Sequence, residues 1–496
     1  MDQEMEESEP MGTRLILVVP RQHVKTVKTA LEEHGQLDRN TKILPEENIH
    51  GSDCSKSKET ENSEDVADNS TQPAMRIPTT IHSNDTSTLS TTLTNLNLQH
   101  LSSKITLSQY TPSTTSIEKN PLCAALSEVL TLLPPSILSA LNLTPHRLAA
   151  AFPDAYSIYP PLLLLPHNAF SSPLWRALLT AHPASAASLQ PLWRHVAQKM
   201  GVSHIAINSP IPLQNGENTM RSPVNITPIY GSFGPSPSPR TLSHPSPADF
   251  DKALWASACQ NGITQSWAPM YTMFSRGNIR EKTRILSFPS QDAGSVVDMY
   301  AGIGYFTLPY RRRGFSPIIC FEVNPWSVEG LRRGCVANNY SYKIFTRMDM
   351  HEWDEEDFTS NGETVKDVYI FHLSNTHARP LLAPHISSLP PVRHVNLGLL
   401  PSSRDSWRDA VGLVRREGGW VHAHENVGVG EVESRRGEVE KVFQRWVDEM
   451  DEVVESEVDG VVSGRKAEVR HVERVKMYAP GVVHCVFDVW VEGRGE

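Results

Sequence analysis

Three acidic residues and two glycines fall where a nucleotide pocket needs them. Val296 and Val297 lead into Asp298-Met-Tyr-Ala-Gly302-Ile-Gly304, an apolar run that breaks at a glycine turn and continues as helix-forming residues. Glycine at these places lets the backbone turn sharply and lets a ligand approach closely at a helix N-terminus. A dinucleotide site would carry a third glycine three residues after Gly304, where this chain has Thr307. The pyrophosphate fingerprint is therefore incomplete. Glu322 ends the next apolar run, placed to accept from both ribose hydroxyls. Asp349 ends the third and can accept from an adenine amino group. Each acid alone is more often a cap or a surface charge. Together with the turn they suit an adenosine without phosphate, and S-adenosylmethionine, with its cationic sulfonium and amino group, is the expected ligand.

The elements that must position these residues alternate between strand and helix. Strand-like runs are SVVDMYA, PIICFEV, YKIFTRM, RHVNLGLL, GGWVHAHENV, RVKMYA and HCVFDVWVE, with PWSVEGLRRGCVANN as a helix between early ones. Asn324 and Pro325 supply its N-cap and first residue. Such alternation predicts an α/β fold with a doubly wound, mostly parallel sheet, finished by a two-strand hairpin edge. A smaller N-terminal α/β domain is expected to begin at 12–45. Residues 46–118 are rich in Ser, Thr and Asn and are expected to be a disordered insertion. Residues 119–230 complete the N-terminal domain, 231–250 form a Pro/Ser-rich linker, and 251–492 form the ligand-binding domain.

Composition excludes several classes. The acidic start MDQEMEESEP lacks the basic and apolar regions of a signal peptide. The longest apolar cluster, YPPLLLLPH, is too short and proline-rich to span a membrane. Six scattered cysteines without a C-x-x-C pair argue for a reducing compartment and against a disulfide framework or cysteine zinc site. A cytoplasmic, monomeric protein without a metal is expected. The net charge of -10 does not point to nucleic acid. Basic clusters at YRRRG, LRRG and GRKAEVRHVERVK nevertheless allow a local phosphate-binding face. Their alternative is a set of solvated helix faces. The HAH at 422–424 would turn both rings to one side of a strand, which suits hydrogen-bonded strand histidines better than a metal pair.

Four stretches carry a resemblance to the tRNA wybutosine-synthesizing protein 2 family, relatives of the tRNA (guanine-37-N1) methyltransferases. They are QNGITQSWAPMYTMFSRGNIREKTRIL (260–286), DMYAGIGYFTLPY with FEVNPWSVEGLRRGCVANN, VNLGLLPSS with RVKMYAPGVVHCVFDVW, and the N-terminal LVVPRQHVKTVKTALEEHGQLDRNTKI. The resemblance implies a class I S-adenosylmethionine-dependent transferase domain. It also implies transfer of the 3-amino-3-carboxypropyl arm, not the methyl, to carbon 7 of demethylwyosine at position 37 of phenylalanine tRNA, with methylthioadenosine as by-product. Ser275, Lys282, Glu322 and the Asp349-Met350 pair are the implied ligand contacts, beside Asp298, Gly302 and Gly304 from the turn. Lys282 would hold the methionine carboxylate and Ser275 would hydrogen-bond it. The family commonly carries Gly-Asp-Asn where this chain reads Met-Asp-Met. The basic clusters and the N-terminal domain are expected to bind the anticodon loop of phenylalanine tRNA, with Arg276, Asn396 and Pro401 as candidate substrate contacts.

Enzymes that methylate exocyclic amines often place N-P-P-Y after the fourth strand. Here the strand ends Asn396-Leu-Gly-Leu-Leu-Pro401-Ser402, without an aromatic residue. All three carbons on a sulfonium are electrophilic, so orientation decides which is given away. No Ser–His or Cys–His arrangement calls for a covalent intermediate, and no general base is assigned. Arg276, Arg280 and Arg284, four apart, are placed to meet tRNA phosphates or the chain's own carboxylates. N1-methylation of guanosine 37 and a non-catalytic tRNA-binding module are the competing readings.

Overall fold

The computed structural model describes residues 13–34, 36–38, 41, 43–46, 74–82, 89–110, 120–153, 155–208, 226–289, 294–349, 352–353, 365–414, 417–457 and 464–493. They fall into two compact units, Met1–Ala124 and Ala125–Glu496.

The first unit is an antiparallel sheet in the order Leu44–Pro45, Met75–His82, Arg14–Val19, Thr106–Tyr110. Helices Val24–Glu33 and Leu89–Asn95 contribute Val27, Leu31 and Leu93 to its core, with Leu17, Ile77, Leu96 and Leu101. The expectation of disorder across 46–118 fails for 74–82 and 89–110, where the chain is a strand, a helix and a second strand. Averaged composition hid a sparse but regular apolar set (Ile77, Leu93, Leu96, Leu98, Leu101, Ile105), all buried here. Threonine also suits a half-buried strand: Thr79 is buried and its hydroxyl donates to Leu15 O at 2.8 Å.

The second unit is built on an eight-stranded sheet. Its strands are β1 Ser295–Asp298, β2 Ile318–Phe321, β3 Tyr342–Phe345, β4 Val368–Phe371, β5 Val392–Leu397, β6 Gly419–Gly428, β7 Ala467–Ala479 and β8 Val482–Val491. They lie in the order β3-β4-β2-β1-β5-β6-β8-β7, parallel from β3 to β6 and closed by the antiparallel β7–β8 hairpin. Helices α1 Ile279–Ile285, α2 Thr307–Arg313, α3 Pro325–Ala337, α4 Trp407–Leu413 and α5 Val432–Glu457 accompany it. This is the expected class I transferase architecture with one strand more. The sequence reading missed β4, a four-residue buried run too short to show alternation.

Two domain expectations change. Residues 157–230 carry a second sheet, Ser157–Tyr159, Leu162–Leu165, His204–Asn208 and Ile226–Tyr230. Its Leu162 and Ala206 share one apolar cluster with Phe233, Leu254, Ala256, Trp267 and Ile303 of the glycine turn. Residues 125–230 thus belong with the ligand-binding unit, not with an N-terminal domain. The 231–250 stretch is not a bare linker but a packed strap. Its Ser-Pro pairs cap helices Pro239–Ser243 and Pro247–Lys252, each with a capping box. Thr241 O accepts from Trp326 Nε1 at 2.7 Å, and Trp326 stacks on Tyr271 at 3.6 Å between ring centroids.

Candidate active site

The glycine turn sits at the carboxyl end of β1. Asp298 is fully buried beneath it: Oδ2 accepts from Thr307 Oγ1 at 2.8 Å and Oδ1 from Asn396 Nδ2 at 2.9 Å. The residue expected to touch the ligand therefore ties β1 to α2 and β5. Thr307, standing where a third glycine would, supplies part of that tie. Gly302 and Gly304 adopt φ of 54° and 83°, which disfavour any side chain. A Cβ on Gly304 would lie 2.6 Å from Leu331, so that glycine lets α3 pack on the turn. A Cβ on Gly302 would meet only the Tyr305 ring, at 3.2 Å, which leaves Gly302 as the residue that keeps the cradle open. Glu322 accepts from Gly302 N at 2.8 Å and Asn324 N at 2.7 Å. Burial pushes its carboxyl above the usual carboxylate range, against the pull of those backbone N–H groups.

Lys282 lies beside the turn on α1 and is 2% exposed. Its Nζ donates to Gln260 Oε1 at 2.9 Å and Gln265 Oε1 at 2.5 Å, and lies 5.0 Å from the Phe274 and 5.2 Å from the Tyr305 ring centroids. Gln265 Nε2 in turn donates to Gly304 O at 2.8 Å. Among the described residues no carboxylate pairs with Lys282. Burial, and secondly the charge of Lys476, lower its pKa to about 7. Ser275 closes the same corner: its N–H donates to Tyr305 Oη at 3.2 Å and its hydroxyl accepts from Lys476 Nζ at 3.0 Å. Two ammonium groups, of Lys282 and Lys476, thus converge on the corner formed by Ser275 and Tyr305. The sequence reading missed Gln260, Gln265, Tyr305 and Lys476. A glutamine on an inward strand position of an apolar hairpin was the available signal for Gln265.

Asp349 lies beyond the end of β3, an edge strand separated from β2 by β4. Its Oδ2 accepts from Thr346 Oγ1 at 2.7 Å, and Met350 lies outside the described residues. The strand beside Glu322 is β4, and Glu322 N donates to Phe371 O at 3.1 Å. The loop after β4 therefore lies beside Glu322. It holds His372, whose Nε2 is 3.2 Å from Val323 O, Ser374, whose hydroxyl caps the following 3-10 turn, and Asn375, whose side chain bears on the Tyr300 hydroxyl.

On the other side, Asn396 directs its amide nitrogen to Asp298 and leaves Oδ1 buried without a partner. Pro401 is exposed at the carboxyl end of β5, and its carbonyl accepts from Asn426 N at 2.8 Å. Ser402 Oγ donates to Glu425 at 2.5 Å, and Ser406 meets Tyr300 Oη at 3.0 Å, so the VNLGLLPSS loop is braced on both flanks. The three arginines do not share a face. Arg276 is exposed in a 3-10 turn before α1, Arg280 pairs with Glu473 at 2.5 Å, and Arg284 is committed to buried Glu281 and Asp488. Arg284 is thereby removed from phosphate binding. His422 and His424 do project from one side of β6. His422 Nδ1 lies 2.6 Å from Asp488 Oδ1, and His424 Nδ1 lies 3.0 Å from His484 Nε2. Burial opposes ionisation of Asp488, yet His422 and Arg284 hold its pKa at about 2. Burial pushes His394 and His424 well below the usual imidazole range. Among the described residues no helix is long and apolar enough to cross a membrane.

The sequence model of the TRM5/TYW2 methyltransferase domain matches residues 259–372. The tRNA wybutosine-synthesizing protein 2 of Schizosaccharomyces pombe is 37% identical over 339 residues, 68% of this chain and 72% of that protein. The protein of the same name from Saccharomyces cerevisiae is 34% identical over 378 residues, 68% of this chain and 74% of that protein. A crystal structure of P. horikoshii TYW2 in complex with MeSAdo is 18% identical, with a TM-score of 0.44 over 72% of this chain and 98% of that one.

Proposed function

The chain belongs to the tRNA wybutosine-synthesizing protein 2 family, and from that premise we propose that it moves the 3-amino-3-carboxypropyl group of S-adenosylmethionine to carbon 7 of demethylwyosine at position 37 of phenylalanine tRNA. Methylthioadenosine is released. Lys282 carries the reading: a buried ammonium beside the glycine turn, without a carboxylate partner among the described residues, suits the carboxylate of the transferred arm.

The residues present fit the ligand. The cradle at Gly302 is open, Glu322 offers its carboxylate to the ribose, and the Ser374-Asn375 loop stands beside it for the adenine edge, in place of Asp349-Met350. Asn375 carries both a donor and an acceptor, which the N1 and N6 positions of adenine complement. When bound, S-adenosylmethionine supplies three electrophilic carbons on one sulfonium. The protein's part is to hold the arm by Lys282, with Ser275 and Lys476 beside it, so that its first carbon lies in line with the base. The loop at Pro401 lacks the aromatic that grips an exocyclic amine. Arg276 and the other exposed cations meet the anticodon-loop phosphates. The protein works in the cytoplasm as a monomer, with no metal.

The test uses purified protein, demethylwyosine-bearing phenylalanine tRNA, and S-adenosylmethionine labelled either in its carboxyl carbon or in its methyl. Carboxyl label should enter the tRNA while methyl label leaves with the nucleoside. Methyl label alone in the tRNA would overturn the reading.

A further inference from the structure

A polar seam crosses the face of the sheet that carries α1. His394 of β5, His422 of β6 and Asp488 of β8 lie on three adjacent strands, His422 directly opposite Asp488 and His394 two residues out of register with His422, each no more than 4% exposed. His394 Nδ1 lies 2.9 Å from His422 Nε2, and His422 Nδ1 lies 2.6 Å from Asp488 Oδ1. Arg284 then reaches from α1 and donates twice to Asp488, at 2.5 and 3.0 Å. It also donates twice to Glu281, at 2.8 and 2.7 Å. Phe288 stacks on both imidazoles, at 5.2 and 5.3 Å between centroids, and Tyr310 and Phe315 pack on His394.

Stability does not call for such a seam. Desolvating two carboxylates and a guanidinium is costly, and apolar side chains of the same volume commonly serve a core as well or better. What buried ion networks secure is a fixed arrangement, and α1 needs one. It has seven residues, too few to hold a helix by themselves. Glu281 and Arg284, three apart, face the seam, while the adjacent Lys282 turns to Gln260 and Gln265 beside the glycine turn. Whatever fixes the rotation of α1 therefore fixes where the Lys282 ammonium points.

We infer that Arg284, Asp488, His422 and His394 form a positioning device that sets the rotation of α1 and so aims Lys282 at the carboxylate of the transferred arm. The inference rests on the reading of Lys282 given above. It predicts a separation between ligands that contain the arm and ligands that lack it. A misaimed Lys282 weakens only the former.

The experiment measures binding of S-adenosylmethionine and of methylthioadenosine, and arm transfer to tRNA, for wild type and Asp488→Asn. The substitution keeps the size of the side chain and removes its charge. S-adenosylmethionine should bind roughly tenfold or more weakly and kcat should fall, because misplacement by about 1 Å is enough to slow an oriented reaction. Methylthioadenosine should bind within about twofold of wild type. Parallel weakening of both ligands, or of neither, would overturn the inference. Should Asp488→Asn fail to fold, Arg284→Lys, which keeps the charge and loses the paired donors, is read by the same ratio. A wild-type protein that binds S-adenosylmethionine but delivers no carboxyl label would instead sink the proposed function.

Discussion

The two ends of the pocket are held by different kinds of structure. At the nucleoside end, a strand, a glycine turn and the next strand place Asp298, Gly302, Gly304 and Glu322 within one short segment, and the contacts are largely backbone hydrogen bonds to carboxylates. At the arm end, Lys282 meets Gln260 and Gln265 from a hairpin, Tyr305 from the turn and Lys476 from the last hairpin. Its helix is anchored to Asp488, near the end of the chain. The nucleoside end is therefore a local motif, shared by many adenosine-binding folds. The arm end is assembled from distant segments, and on the proposed function it is there that the product is decided. Substitutions at the two ends should separate affinity for any adenosine from affinity for the arm.

The largest separation is expected at Lys282. Lys282→Met should lower kcat/KM for arm transfer roughly 100-fold, from the loss of a charge-assisted hydrogen bond and of orientation. Methylthioadenosine affinity should hold within about twofold, because that ligand carries no carboxylate. The same variant should unfold at a temperature a few degrees higher than wild type (about 1 kcal/mol more stable), since an ammonium is buried there without a counter-charge. Ligand titrations and thermal scans on one preparation check both. Equal loss of the two ligands would erase the distinction between the ends. Glu322→Gln tests it from the other side. Weakening the acceptor for the ribose hydroxyls should cost S-adenosylmethionine and methylthioadenosine alike, roughly 20-fold each.

A smaller effect, with a definite sign, belongs to pH. In the ligand-free protein the Lys282 pKa lies at about 7, and a bound carboxylate raises it. Below that value free and bound protein both hold the proton, and affinity for S-adenosylmethionine is flat. Above it the free protein must take up a proton on binding, so affinity falls by up to about tenfold per pH unit. Lys282→Met should remove that part of the slope, which isolates it from the titration of the ligand's own amino group. Methylthioadenosine should show none. Isothermal titration across this range in buffers of different ionisation enthalpy would also register the proton taken up.

How much of this was legible in the sequence follows the same division. The glycine turn, Glu322 and the alternation of strand and helix are short-range patterns, and they could be read directly. Asp298 was legible as an important acid but not as a buried clamp, since its partners Thr307 and Asn396 become neighbours only when β1, α2 and β5 are in place. Lys282 came from resemblance alone, because as sequence it is one lysine in a charged helix. The seam behind it was invisible: HAH announced two histidines on one side of a strand but not Asp488 opposite them. The 231–250 strap was misread because Ser-Pro pairs resemble a linker until their capping boxes are seen.

The smallest and most discriminating test concerns the adenine edge, for which sequence and structure nominate different loops. Position in the chain nominated Asp349, the acid after the third strand-like run. The unnoticed β4 lies between that strand and β2, so the edge next to Glu322 belongs to Ser374 and Asn375. Asn375→Ala should weaken S-adenosylmethionine and methylthioadenosine together by roughly fivefold, the value of one hydrogen bond of about 1 kcal/mol. Asp349→Ala should leave both within about twofold, as its carboxylate is turned onto Thr346. Replacing the adenine of the ligand by a purine without the 6-amino group should then match the Asn375→Ala loss in wild type and add little to it in the variant. A loss confined to Asp349→Ala would restore the edge strand as the adenine reader, and with it the view that chain order alone locates this site.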